Sequence, residues 1–393
     1  MTEADIPPVN YAAYQHEIYL NGTGGTRPAL PTDLNRLEAA AAARLPETAF
    51  AYVAGAAGSE ATARANRTAF DRWRIVPRVL TDVSSRDLRV ELFGQRLPAP
   101  VLLGPVGVLS LVHPEGEKEV ARAVAGLGVG MVLSTASSFS LEDVAETAGD
   151  APRWFQLYWP GSPDVAKSLV GRARAAGYRV LVVTLDTRML AWRPRDLDFG
   201  YLPFLHSLGI ANYLSDPAFR AGLGRPPEED PTGAVLHFLS MFGDPTSTWS
   251  RLAELRDMWD GPIVLKGVLH PDDARQAVDA GMDGVVVSNH GGRQVDGSIA
   301  SLDALPEVAA AVGDRVPVLF DSGIRSGADI VKALALGARA VLVGRPYAYG
   351  LGLAGADGVR HVVRTLLADF DLTLALSGRC RPGDLDRGVL VPG

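Results

Sequence analysis

From Pro100 onward, short and mainly apolar runs alternate with longer stretches in which apolar positions recur at helical spacing. The runs are Val101–Leu103, Met131–Leu133, Trp154–Leu157, Val180–Val183, Ile263–Leu265, Gly284–Val287, Val316–Phe320 and Ala340–Val343. Their brevity, β-branched content and lack of strict alternation mark strands buried on both faces, as in a parallel sheet. Eight strand-helix units in succession predict an α/β fold, a (β/α)8 TIM barrel. A doubly wound sheet shares the alternation but requires a glycine-rich dinucleotide turn directly after an early strand. Gly126–Gly130 precedes its strand instead. Gly350–Gly355 spells G-x-G-x-x-G yet lies beyond the last strand, so both read as loop or helix-packing glycines.

Ahead of the barrel, Thr32 and Asp33 can cap a helix that places Leu34, Leu37, Ala41 and Leu45 on one face. Pro46-Glu47 can start a second helix through Val53. Val90–Leu97, centred on Phe93-Gly94-Gln95, reads as a hairpin that closes the barrel bottom. The chain is therefore read as one domain, with residues 1–99 forming an N-terminal helical cap and hairpin and residues 100–393 the barrel. Segment 196–246, which contains Pro203, Pro217, Pro226, Pro227 and Pro231, reads as a long irregular loop after strand 4. At that end of a barrel such a loop is expected to act as a lid.

Composition narrows the possible partners. A formal net charge of -7 in 393 residues argues against a nucleic-acid-binding surface, so an acidic substrate would need local cations. The single cysteine, Cys380, excludes an intramolecular disulfide and a cysteine-based zinc site; no metal is expected. Met1-Thr2-Glu3-Ala4-Asp5 has neither a basic nor an apolar leader pattern, and no apolar run is long enough to cross a bilayer. A cytoplasmic protein without membrane attachment is the expectation.

In a barrel of this kind the C-terminal strand ends meet around one pocket. The first ends in Pro105-Val106-Gly107, the second in Ser134, the third in Gln156-Leu157-Tyr158, and the fourth in Thr184-Leu185-Asp186. Lys266 ends the fifth. The sixth runs into Ser288-Asn289-His290-Gly291-Gly292-Arg293-Gln294, which sets a possible base beside a fixed cation. The seventh ends in Asp321-Ser322-Gly323-Ile324-Arg325 and the eighth in Gly344-Arg345. Gly323 and Gly344 allow close backbone approach, and Arg325 and Arg345 bring guanidinium groups to the same side. That is where barrels hold a phosphate. If the ligand is FMN, Lys266 would stabilise the negative charge that accumulates on the reduced ring. Ser134, Gln156 and Thr184 would then meet the heteroatom edge of the ring, while Val106-Gly107 passes its reactive face.

Gln156-Leu157-Tyr158, Thr184–Thr187, Leu265-Lys266-Gly267, Ser288–Gln294, Asp321–Arg325 and Gly344-Arg345-Pro346 occur in this order, and with them the chain resembles the FMN-dependent 2-hydroxy-acid oxidases and dehydrogenases. Within that family it looks most like the lactate 2-monooxygenases, through Glu17-Ile18-Tyr19, Trp192–Leu197, Asn212-Tyr213 and Asp216-Pro217. The resemblance implies FMN as cofactor, held by Pro105, Val106, Gly107, Ser134, Gln156, Tyr158, Thr184, Lys266, Ser288, Asp321, Gly323, Arg325, Gly344 and Arg345. It implies His290 as the base and Asp186 as the carboxylate steadying the imidazolium. Arg193 and Arg293 would clamp the substrate carboxylate, and Tyr52 and Tyr158 would bond it or the reacting hydroxyl. The implied partners are a small 2-hydroxy acid and molecular oxygen, and the implied assembly is a homo-oligomer, a tetramer or octamer. Many oxidases of the family carry alanine where Gly107 stands, and some carry tryptophan where Ala136 stands, so a roomier pocket is expected. Ser322 replaces the glycine of glycolate oxidase.

Overall fold

The computed structural model describes residues 8–393, so the reading of Met1–Asp5 lies outside the described residues. Eight parallel strands close into a barrel: β1 (Val101–Leu103), β2 (Gly130–Ser134), β3 (Arg153–Tyr158), β4 (Leu181–Thr184), β5 (Ile263–Val268), β6 (Gly284–Val287), β7 (Val318–Phe320) and β8 (Ala340–Val343). Each pairs with its sequence neighbour, and β8 pairs with β1 to complete the ring. All eight apolar runs of the sequence thus became barrel strands.

Both faces of these strands are buried, which is why their sequences do not alternate. Leu102, Val132, Trp154, Val182, Val264, Val286, Leu319 and Leu342 fill the barrel interior, whereas Val101, Leu103, Leu133 and Val183 pack outward against the helices. The hairpin of Val90–Leu92 and Gln95–Leu97 adds Val90, Leu92 and Leu97 to the interior cluster. Its tip residue Phe93 meets Trp154 edge-on, with ring centroids 5.5 Å apart. The hairpin therefore plugs one end of the barrel and leaves the chemistry to the other.

Ahead of the barrel, Asp33 accepts from the Asn35 amide, Leu34–Arg36 is a 3-10 turn, Leu37–Ala42 and Glu47–Ala54 are helical, and Leu34, Leu37 and Ala41 are buried while Leu45 lies past the helix end and is half-buried. Ala13–Thr23 and Ala61–Thr68 add helices with no expectation from the pattern. The glycines beyond β8 lie inside the kinked helix Arg345–Leu376. There the Gly350 carbonyl would lie 1.8 Å from a Cβ at Gly358, so only glycine permits that contact. Among the described residues, no helix is long and apolar enough to cross a membrane, and no group of ligating side chains could hold a metal ion.

Segment 196–246 departs from the irregular loop expected of it. It contains the helices Pro194–Asp198, Ala211–Leu214, Pro217–Ala221 and Pro231–Met241 and the 3-10 turn Pro203–His206. Pro203, Pro217 and Pro231 sit in the first turns of these helices, where a missing N–H costs nothing, while Pro226 and Pro227 lie in the turn between two of them. Phe204, Tyr213, Phe219, Phe238 and Phe242 meet edge-on or tilted as an aromatic cluster continuous with the main core, with centroids 4.8 to 5.6 Å apart. Fully buried Asp216 fastens this unit to the barrel. It accepts from the amides of Ala218 and Phe219, from the Ser168 hydroxyl, and from Arg172 at 3.0 Å. Asn212 adds a second tie, donating to the Thr135 carbonyl and accepting from the Leu141 amide.

Without Asp216 two amides lose their acceptor, while Arg172 keeps Glu142, so Asp216→Ala is expected to cost about 1 to 3 kcal/mol. The loss should appear as a lower urea midpoint, with protease cuts concentrated within 196–246. An unchanged midpoint and digestion pattern would show that Asp216 does not anchor the unit.

Candidate active site

At the end of the barrel opposite the hairpin lies a cavity lined by residues from the strand ends and from the helical unit. Tyr52, Pro105, Val106, Gly107, Tyr158, Arg193, Lys266, His290, Arg293, Asp321, Gly323, Arg325, Gly344 and Arg345 all line it, so most of the residues singled out in the sequence converge. Ser134, Gln156, Thr184, Ser288 and Asp186 do not line it: Ser134 and Gln156 are buried, and Thr184, Asp186 and Ser288 line a second cavity. Ser134 donates to Gln156 Oε1 (3.0 Å), and Gln156 Nε2 donates to the Thr184 hydroxyl (2.9 Å). Lys266 Nζ donates to Ser288 Oγ (2.9 Å) and pairs with Asp321 Oδ2 at 3.1 Å.

His290 faces the cavity with its two ring nitrogens in different surroundings. Nδ1 lies 2.8 Å from Asp186 Oδ1 and 3.2 Å from the Thr187 hydroxyl, whereas Nε2 is 3.5 Å from the Tyr158 hydroxyl. A carboxylate beside Nδ1 fixes the proton there and leaves the Nε2 lone pair free to accept another. Burial lowers the His290 pKa, and Lys266 and Arg193 lower it further, while Asp186 pulls the other way; the net direction is downward. The imidazole is therefore neutral near pH 7 and ready as a base. Burial would raise Asp186, but the attraction of His290 and Lys266 outweighs it and holds the carboxylate below its ordinary value.

Asp186 follows β4 and His290 follows β6, so their contact must cross β5. Gly267 of β5, with φ +103°, permits it: a Cβ there would lie 2.8 Å from Cβ, Cγ and Oδ2 of Asp186. The loop carrying His290 is itself left-handed, with φ +59° at His290, +66° at Gly291 and +79° at Gly292. Two buried amides brace it. Asn289 Nδ2 donates to Asn66 Oδ1 at 2.7 Å and Asn66 Nδ2 returns to Asn289 Oδ1 at 2.8 Å, tying the loop to helix Ala61–Thr68.

Arg193 and Arg293 bring two guanidinium groups to one wall. Burial and then the neighbouring Arg293 push the Arg193 pKa down to about 10, the direction expected of a cation lacking an anion. Arg193 donates to the Arg293 carbonyl and to Gln294 Oε1, and Arg293 donates to the carbonyls of Tyr52 and Gly55 and lies over the Tyr52 ring. Ala136, Leu190, Leu202, Phe204 and Phe242 line the same cavity, with the Phe242 ring 5.1 Å from that of Tyr158. The cavity thus offers cations for an anion and apolar side chains for an apolar group.

Farther along, Arg325 is half-buried; its amide donates to Asp329, and its guanidinium donates to the neighbouring Ile324 carbonyl. Arg345 commits three of its five guanidinium donors to the protein and keeps two for a ligand. It donates to the carbonyls of Val53, Gly55 and Gly291, and burial pushes its pKa down to about 10. Its position at the start of helix Arg345–Leu376 also points backbone N–H groups at the cavity. Guanidinium groups with donors to spare, a helix N-terminus and Gly323 suit a phosphate. Lys266 and Gln156 suit the polar edge of a flavin, so the residues fit FMN.

Gly107 does not open the space expected of it. A Cβ there would meet the Ala136 carbonyl at 2.9 Å and the Ala136 Cβ at 3.0 Å, so the glycine lets two loops touch rather than widening the pocket. Thr187, Asn66 and the wall residues Leu190, Leu202, Phe204 and Phe242 carried no separate signal in the sequence. Thr187 follows Asp186 directly, and its hydroxyl could have been counted with it; Phe204 and Phe242 are placed by folding of a segment that reads as loop.

Comparisons with known proteins agree with this geometry. The model of the family described as FMN-dependent dehydrogenase matches residues 41–392. An FMN-dependent alpha-hydroxy acid dehydrogenase of Penicillium citrinum is 48% identical over 98% of this chain and 97% of its own length. An L-lactate oxidase of Lysinibacillus sphaericus is 44% identical over 87% of this chain and 88% of its own. A solved structure of mandelate oxidase superposes with a TM-score of 0.82 at 39% identity, covering 93% of this chain and 99% of that one. With the family model spanning most of the sequence and these relatives aligned nearly end to end, the chain belongs to the FMN-dependent 2-hydroxy-acid oxidase and dehydrogenase family, and FMN is its cofactor.

Proposed function

We propose that the protein oxidises an L-2-hydroxy acid with a small apolar side chain, passes the electrons to oxygen, and works as a lactate 2-monooxygenase does. The single observation that carries the reading is the convergence on one cavity of a neutral, carboxylate-backed imidazole, a pair of guanidinium groups and an apolar lining. Arg193 and Arg293 bind the substrate carboxylate in a planar fork geometry that lysine cannot match. Ala136, Leu190, Leu202, Phe204 and Phe242 receive the side chain. His290 Nε2 then takes the substrate proton, and Asp186 stabilises the imidazolium that results. Tyr158, whose pKa burial raises, stays protonated and donates its hydrogen bond throughout. When bound, FMN supplies the two-electron acceptor.

Support for the monooxygenase outcome comes from the roof. Leu202, Phe204 and Phe242 belong to a helical unit fastened at Asp216, and a fixed roof retains product. The 2-keto acid and peroxide held together would react to the acid one carbon shorter, carbon dioxide and water. A second reading is favoured by the same lining: four large apolar side chains and the small Ala136 leave a surface that suits an aromatic acid. The relatives include a 4-hydroxymandelate oxidase of Amycolatopsis orientalis, 41% identical over 87% of this chain and 93% of its own length.

Aerobic turnover of L-lactate is expected to yield acetate and carbon dioxide without free peroxide. Pyruvate with stoichiometric peroxide would contradict the monooxygenase proposal, and lactate turnover far below that of L-mandelate would favour the aromatic acid. His290→Ala is expected to retain FMN and to lower anaerobic flavin reduction by about a hundredfold to ten-thousandfold. Reduction at the wild-type rate would remove His290 as the base.

A further inference from the structure

Ser322 has an unusual backbone for its residue type, and its side chain sits where that matters. Its φ is +85°, in the left-handed region that glycine adopts freely and other residues rarely occupy. Such a conformation persists only where the surroundings hold it. Two hydrogen bonds do so: the Gly291 amide donates to Ser322 Oγ (3.0 Å), and Ser322 Oγ donates to Asp321 Oδ1 (2.8 Å).

Those bonds close a longer circuit. Asp321 Oδ2 pairs with Lys266 Nζ at 3.1 Å, Lys266 Nζ donates to Ser288 Oγ at 2.9 Å, and Ser288 Oγ accepts from the His290 amide at 3.0 Å. The two successive peptide N–H groups of the left-handed turn, at His290 and Gly291, are thus each held by a serine hydroxyl. Both hydroxyls connect to one buried ion pair, Lys266 with Asp321. Burial opposes the charge on Lys266, but Asp321 and Asp186 outweigh it and raise its pKa, so the ammonium stays charged. Glycine at 322 would relieve the backbone and open the circuit.

We propose that Ser322 is a positioning residue for the oxidation, one that locks the base His290 to the Lys266–Asp321 pair and so fixes the imidazole relative to the cofactor cation. The proposal rests on the reading of His290 as the base. It assigns to Ser322 neither substrate binding nor proton transfer. Its hydroxyl holds the turn, and the imidazole carried by that turn keeps its aim. Displacement of a base by a fraction of an ångström is enough to cost an order of magnitude or more in rate.

The test compares Ser322→Gly and Ser322→Ala with the wild-type holoenzyme and with His290→Ala. Anaerobic flavin reduction is followed over a range of L-lactate or L-mandelate, whichever reduces the wild type faster. Ser322→Gly suits φ +85° and so keeps the backbone while losing the hydroxyl; Ser322→Ala loses the hydroxyl and keeps the strain. Both are expected to retain FMN. The limiting rate should fall about tenfold or more in both, with half-saturation within about twofold of wild type. The alanine variant should melt at the lower temperature. A glycine variant that keeps more than a tenth of the limiting rate, loses its FMN, or shows its defect in half-saturation instead overturns the proposal. If His290→Ala is inert while Ser322→Gly is unimpaired, only the role of Ser322 falls; if His290→Ala reduces flavin normally, the reading of the base falls first.

Discussion

The hydrogen bond between Asp186 and His290 is the interaction on which the rest of the site depends, because it joins two strands that are not neighbours in the barrel. β5 lies between them, and Gly267 is the point at which the carboxylate leans across it. A barrel closed in this order, plugged by a hairpin at the far end, brings the two strand ends within reach. Their contact then defines which imidazole nitrogen is protonated and which accepts. The left-handed turn at His290 aims that nitrogen, and the Asn66–Asn289 pair ties the turn to the N-terminal cap. The cap is therefore part of the active-site scaffold as well as a cover for the barrel.

Charge is distributed around this pair with a consistent sense. Lys266 is matched by Asp321, and His290 by Asp186, so the buried centre is compensated within the protein. Among the described residues, the guanidinium groups of Arg193 and Arg325, both on the cavity, have no carboxylate as hydrogen-bond partner, and burial lowers both. A site that compensates some of its charges and leaves others unmatched is prepared for anionic ligands. A hydroxy-acid carboxylate and the phosphate of FMN meet that description.

How much of this could be read from the chain differs by element. The strands were legible because burial on both faces leaves short apolar runs, and the strand-end residues followed once the barrel was inferred. The helices of 196–246 were not, since first-turn prolines and loop prolines look alike until the caps are seen; Asp216 and Asp230 are those caps. Arg345 shows what position alone leaves out: it stands at the expected strand end, and three backbone carbonyls fix how its guanidinium lies there. Gly107 shows the same for glycine: the missing side chain brings loops together instead of leaving room. The helix Ala61–Thr68, polar along most of its length, gave no sign that Asn66 is buried against the catalytic loop.

The central claim is that a neutral His290, set by Asp186, accepts the substrate proton. The pH dependence of anaerobic flavin reduction in the wild type and in Asp186→Asn tests it most directly. In the wild type the rate should rise with pH as the imidazolium loses its proton, through a midpoint below the ordinary histidine value of about 6.5. Removing the carboxylate takes away the attraction that raises the His290 pKa, so in Asp186→Asn the midpoint should move lower still and the high-pH plateau should fall. A plateau equal to the wild type, or a midpoint that moves upward, would contradict the account.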